Sequence, residues 1–291
     1  MATAIILASC GGGAPTSPAP GGGGNGGGGI TPPPNNLPVI EAITVQGTRP
    51  KEPANFADRG ETIAVSAKVT DAETPVDQLL FVWTATTGTF SGTGSSVTWQ
   101  APATSAATTA ANATLTLTVI EKFGNPGGPL SFEHSAAQTA TVSLHDSVGE
   151  VGTMARQFLL DFSDTNLKDA DHIMRNFSAL ACPDPRDVQA ERDDVVRNYT
   201  FFRMVSFRVD QPGVTINFGG SCSSVHGARR GDACAKVPVM WDSIDTRDNS
   251  RTPNAGVDQI SAAYSPRDSR WWLCASDYDG RNLLTGARIA R

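Results

Sequence analysis

An apolar run of the roughly 20 residues needed to cross a bilayer as a helix is missing from these 291 residues. Positive charge is also short, with 23 Lys and Arg against 29 Asp and Glu and a net charge of -6. That balance lacks the basic field that would recommend nucleic acid as a partner. Lysine almost disappears from the second half, where residues 150–291 hold 16 Arg and 2 Lys beside 19 acidic residues. Arginine's planar fork suits carboxylates and polar ligands, although in an Asp-rich domain it more often serves surface ion pairs. No Cys-x-x-Cys pair occurs and the 4 His sit at no ligand-like spacing, so zinc is not expected. Gly-x-Ser-x-Gly, His-Glu-x-x-His and a phosphate-cradling loop are absent too. No cofactor is therefore expected.

Glycine and proline, by contrast, crowd one end. Residues 11–38 carry no charge and almost no large apolar side chain, so they cannot bury enough surface to offset the entropy of ordering. As a Gly-rich coil this tract reaches on the order of 30 Å, stiffened toward its far end by Pro32-Pro33-Pro34. It reads as a tether. Immediately before it stands Leu7-Ala8-Ser9-Cys10, which resembles the lipobox of bacterial lipoproteins. The resemblance makes residues 1–10 a signal and implies cleavage before Cys10, a diacylglyceryl group on its sulfur, and the membrane as a partner through that lipid. Gly11 is not the aspartate that retains such proteins at the inner membrane. A lipid-anchored place in the outer membrane, periplasmic or surface-exposed, is the implied address. The alternative is a free cysteine in a disordered leader.

The other cysteines are Cys182, Cys222, Cys234 and Cys274. An even number in an exported domain implies disulfides, and four cysteines allow three connectivities. The expected pairs are Cys222 with Cys234, closing the polar loop Ser223 to Ala233, and Cys182 with Cys274, stapling a helical segment to a late strand.

Two domains are expected. From 39 to 147 short runs alternate with period two, as in Ile63, Val65, Ala67 and Val69, and turn residues separate them. This is the grammar of an all-β sandwich. Val69-Thr70-Asp71-Ala72-Glu73, Leu80-Phe81-Val82-Trp83, Gly88-Thr89-Phe90-Ser91-Gly92 and Thr98-Trp99-Gln100-Ala101-Pro102 resemble bacterial Ig-like and PKD-type repeats. That likeness implies Trp83 packed between two sheets and a role in spacing or in contact with a protein or glycan at the cell surface. Asp71, Glu73 and Asp77 are weak calcium candidates, with turn capping as the plainer reading.

Past His145 to Gly149, read as a strand end and short hinge, the period changes. Met154, Phe158, Leu159 and Phe162 recur at helical spacing, Ile173, Met174 and Phe177 follow Asp169-Ala170-Asp171, and Asp184-Pro185 opens a third helix. After Tyr199 the period returns to two, with Phe201, Val205, Phe207 and Val209 on one face and strands at 237–241, 260–264 and 270–275. Helices packed on a curved antiparallel sheet, an α+β domain over 150–291, are expected. The element order, ending in Arg270-Trp271-Trp272-Leu273-Cys274, weakly resembles the nuclear transport factor two-like cone. That resemblance implies a pocket floored by the sheet.

Candidate chemistry is thin. Asp171-His172 pairs an acid with an imidazole, but neighbours on a helix point about 100° apart. His226, Arg229 and Arg230 form a basic loop between Cys222 and Cys234 that could grip an anion, and Arg230-Gly231-Asp232 matches an integrin-type triplet. Asp277-Tyr278-Asp279-Gly280 opens like a calcium loop, but Arg288 stands where an EF-hand needs Glu; a tight turn explains it better. The expectation is a lipid-anchored envelope protein with an Ig-like spacer and a non-catalytic binding or structural head. The alternatives are a small-molecule hydrolase, isomerase or dehydratase drawing on His172, Arg203, Arg208, Asp242 and Tyr264, or a subunit of an envelope assembly.

Overall fold

The computed structural model describes residues 34–49, 51–103, 111–125, 131–209, 213–219, 222–224, 227–229 and 231–290. Cys10, His226 and Arg230 lie outside the described residues, as does most of the tether. The architecture is mostly β-sheet, with few helices and one curled sheet.

The chain begins with β1 (Val39–Gln46), β2 (Phe56–Asp58) and β3 (Thr62–Thr70). After a 3-10 turn at Val76–Gln78 come β4 (Leu80–Ala85), β5 (Thr89–Ser91), β6 (Ser96–Gln100), β7 (Ala111–Gly124) and β8 (Ser131–His145). They form two four-stranded sheets, ordered β1-β3-β6-β5 and β2-β8-β7-β4. Pairing is antiparallel except for β2 beside β8. Period two accounts for the packing: in β3, Ile63, Val65 and Val69 are buried while Thr62, Ala64 and Lys68 face water. The inward rows meet as Val45, Ile63, Val65, Val97 and Trp99 against Ala113, Leu115, Val142 and Leu144. Trp99 fills the centre at 0% exposure. Trp83, expected between the sheets, packs against both apolar clusters of this half but is only half-buried, and it donates its indole N–H to Gly94 O at 3.0 Å. The reason is position, because β4 closes one sheet at its edge whereas β6 is internal.

The second half holds α1 (Ser147–Ser163), α2 (Ala170–Ile173) and α3 (Pro185–Phe201). Strands β9 (Phe202–Val209), β10 (Thr215–Phe218), β11 (Cys222–Ser224), β12 (Gly227–Arg229), β13 (Ala233–Asp245), β14 (Arg251–Ser265), β15 (Arg270–Asn282) and β16 (Arg288–Ala290) follow. Each helix is capped by an aspartate, Asp146, Asp169 or Asp184, whose side chain accepts a backbone N–H of the first turn. The curled sheet runs β10-β13-β14-β15-β16, with β9 on the other reach of β13. Register shifts at Asp242/Ser243 and Ser261/Ala262 mark bulges, which bend and twist long strands. Val151, Ala155, Phe158 and Leu159 of α1 and Val195 of α3 pack on Val237, Val239, Ile260 and Leu273 of the sheet. Disulfides join Cys182 to Cys274 and Cys222 to Cys234.

Three local expectations change. His145 ends β8 as expected, but in place of a hinge Asp146 caps α1 and Ser147 opens it, with His145 and Ser147 both buried. Phe201 ends α3 instead of opening a strand. The expected turn at Asp277–Gly280 lies inside β15, paired with β14. Glycine is admitted there because Gly280 pairs with Gly256 across the strands and the Tyr278 ring occupies the space above both.

The halves share a seam. Phe56 of β2 is 1% exposed and belongs to the core cluster of the curled sheet. Arg49 stacks over Phe218 at 4.6 Å, Lys51 Nζ donates to Gly231 O at 3.0 Å, and Trp271 donates to Ser147 Oγ, which donates to Asp58 at 2.7 Å.

Candidate functional site

Between α1, α3 and the curled sheet the core does not close. A cavity of about 240 Å³ remains. Phe162 comes from α1, Phe202, Met204 and Phe207 from β9, Trp241 and Ser243 from β13, Asn254 and Asp258 from β14, and Tyr278 from β15. Period two makes the floor, since 254, 256 and 258 share one face of β14 opposite 282, 280 and 278 of β15.

The floor is polar and buried. Asn254, Asp258 and Tyr278 are 3%, 1% and 1% exposed. Asn254 Nδ2 donates to Thr252 O at 3.2 Å, whereas its Oδ1 and the Tyr278 hydroxyl have no hydrogen-bond partner among the described residues. Burial, with the Asp258 and Asp279 carboxylates nearby, pushes the Tyr278 phenol well above its ordinary pKa. The walls are aromatic, with Trp241 and Tyr278 ring centroids 4.1 Å apart. At the mouth Arg197 pairs with Asp194, and Asn198 Nδ2 donates to Phe162 O at 2.7 Å, fastening α3 to α1.

No family model and no curated protein matches the chain.

The residues singled out from sequence lie elsewhere. His172 is exposed on α2, and its neighbour Asp171 turns to Arg192 at 2.6 Å. Arg203 and Arg208 are exposed on β9, the latter 3.5 Å from Met240 Sδ. Asp242 is bound by Arg251, whose guanidinium holds its pKa below the ordinary range. Tyr264 stands at the seam, its hydroxyl 3.1 Å from His145 Nε2, and burial pushes its pKa up. None of these five lines the cavity. Asp71 accepts the backbone N–H groups of Glu73 and Thr74, Glu73 accepts from Asn36, and Asp77 sits in the 3-10 turn. Among the described residues no cluster of three or more metal-ligating side chains occurs. Arg229 ends β12, paired with Cys222.

A second constellation lies at the seam. His145, 1% exposed, stacks on Phe56 with centroids 4.8 Å apart and has Nδ1 3.1 Å from both Glu150 oxygens. A carboxylate only accepts, so Nδ1 carries a proton toward Glu150, while Nε2 lies within hydrogen-bond reach of the Tyr264 hydroxyl. This carboxylate, imidazole and phenol form a chain in which the imidazole is buried and the carboxylate on α1 is partly exposed. They brace the seam. Asn254, Asp258 and Tyr278 were missed because the expected strands left out 251–259 and a tight turn was expected at 277–280; the available signal was glycine at strand positions 256 and 280, which points to a close approach.

Proposed function

We propose that this chain is a lipid-anchored protein of the bacterial envelope whose head binds a small molecule without chemical turnover. In this reading Cys10 carries the lipid in the outer membrane, the Gly/Pro tract is a tether, the N-terminal sheets are an Ig-like or PKD-type spacer, and the α+β head is a nuclear transport factor two-like cone. The observation that carries it is the cavity, with an aromatic wall and buried polar atoms that nothing in the described chain satisfies. Such atoms cost free energy unless a ligand or water meets them. Two disulfides agree with an oxidising compartment, and facing sheets followed by helices on a curled sheet agree with spacer and head.

Catalysis is the second reading, favoured by Asp258 and Tyr278 lining one cavity, yet the lining holds no imidazole. The test of the anchored reading is fractionation with intact mass analysis of the full chain from a diderm host. Expected are an acylated Cys10 in the membrane fraction and release to the periplasm by Cys10→Ser. An unprocessed Met1 on a cytoplasmic chain with four free late thiols would overturn it.

A further inference from the structure

We infer that the cavity takes an uncharged apolar molecule by way of one hydroxyl group, which bridges Asn254 Oδ1 and the Tyr278 hydroxyl. The inference rests on the head being a small-molecule binder and names the ligand class for it. Its basis is the pair of atoms that folding leaves over. Asn254 and Tyr278 are 3% and 1% exposed, and both line the cavity. The Asn254 amide meets Thr252 O through Nδ2, so its oxygen, an acceptor, is what remains. The phenol hydroxyl, also without a hydrogen-bond partner among the described residues, can give one proton and accept another. A ligand hydroxyl answers both at once, giving its proton to Asn254 and accepting that of Tyr278.

Strand register puts the two atoms within reach of one group. The Tyr278 side chain lies along β15 toward Gly280, since a Cβ at 280 would collide with its hydroxyl oxygen and one at 256 with its ring. Gly280 pairs with Gly256, and Asn254 is the next residue on that face of β14. Diagonal neighbours of an antiparallel pair stand roughly 7–8 Å apart, which leaves room for a bridging oxygen. The rest of the lining decides the body and the charge. Leu159, Phe162, Phe202, Met204 and Phe207 are apolar. A charged ligand would need a counter-charge in such a place, yet Arg197 pairs with Asp194, and Asp258 already interacts within the chain. A lone water would bridge the two atoms as well, but it needs only about 10–15 Å³. The cavity holds about 240 Å³, so water alone at the bridge would leave the apolar part unfilled.

The experiment is calorimetric titration of the full chain, disulfides intact, with four probes on one phenyl body: phenethyl alcohol, ethylbenzene, phenethylamine and phenylacetate. The alcohol is expected to bind about tenfold more tightly than ethylbenzene, and more tightly than either charged probe. Tyr278→Phe keeps the ring and removes the hydroxyl. It is expected to weaken the alcohol about tenfold and to leave ethylbenzene unchanged. Ethylbenzene binding at least as tightly as the alcohol overturns the bridge, as does an undiminished affinity for the alcohol in Tyr278→Phe. A preference for the amine or the acetate overturns the uncharged ligand. Each of these outcomes leaves the head a binder. Because the ratios among probes are read on the unaltered protein, they decide the matter even if Tyr278→Phe fails to fold. If none of the four binds at millimolar concentration the inference falls. The binding reading falls with it only if the neutral dye Nile red also shows no fluorescence gain that Trp241→Ala removes.

Discussion

Two tryptophans on internal strands of the two halves have opposite surroundings. Trp99 on β6 is sealed between two sheets at 0% exposure, with Ala113, Leu115 and Val142 in the cluster around it. Trp241 on β13 is half-buried and stands at the wall of a cavity, its ring against Tyr278, with Asn254 and Asp258 also in the lining. Both halves build their interiors from strand periodicity. The first fills its interior around that ring with small and branched apolar groups. The second leaves Asn254 Oδ1 and the Tyr278 hydroxyl buried without hydrogen-bond partners among the described residues, at a cost in stability.

The largest expected effect tests that contrast. Trp99→Ala should cost about 4 kcal/mol, because a fully buried aromatic leaves a hole that facing sheets cannot collapse around. Trp241→Ala should cost about 1–2 kcal/mol, since its ring already borders open space. Urea unfolding of both variants measures this. Equal losses would mean that the cavity wall is as much a part of the core as the sandwich centre, and the comparison would fail.

Next comes the seam. Phe56 leaves the N-terminal sheets and enters the core of the curled sheet, where it stacks on His145 and meets Tyr264 edge-on at 4.8 Å. Phe56→Ala should cost about 3 kcal/mol. It should also split one cooperative unfolding transition into two, because the apolar link between the halves is cut. A single transition after the change would show that the polar contacts of Arg49, Lys51 and Ser147 suffice to couple them.

Sequence pattern carried some of this. The alternation of 62–69 and the Asp184-Pro185 start of α3 were legible because each depends on neighbours along the chain. So was the choice of cysteine partners, which rested on the loop and the staple they would close. What escaped depends on groups far apart in sequence. Residues 251–259 contain Pro253, Asn254 and Gly256, which locally spell a loop. They form a strand because β13 and β15 flank them and the Tyr278 ring fills the space their glycine leaves. Asp146-Ser147 read as a hinge because nothing local says that Trp271 and Asp58 hold Ser147 on both sides. The residues that line the cavity could not be read, since they are drawn from α1, α3 and four strands.

The smallest effect concerns Glu150, which separates charge from packing at the seam. Burial alone would raise its pKa, but hydrogen bonding and charge from His145, the Asp146 N–H and the charge of Arg59 leave it below the ordinary carboxylate range. A folded-state pKa below the unfolded value, about 4.3, means a contribution present above that pH and lost as pH falls through the folded value. Glu150→Gln should therefore lower stability at pH 7, and its gap from the unaltered protein should narrow as pH drops below about 4.3. Urea melts across that range measure it. The side chain is 32% exposed, so solvent screening keeps the loss well below that of Phe56→Ala. A gap that stayed constant down to the lowest pH would assign Glu150 to capping α1 through the Asp146 N–H, with no share for its charge on His145. Either way the ordering of Phe56 over Glu150 is the point at issue: if the carboxylate proved the costlier loss, the halves would be joined by electrostatics, and the seam would come apart in acid while both cores survived.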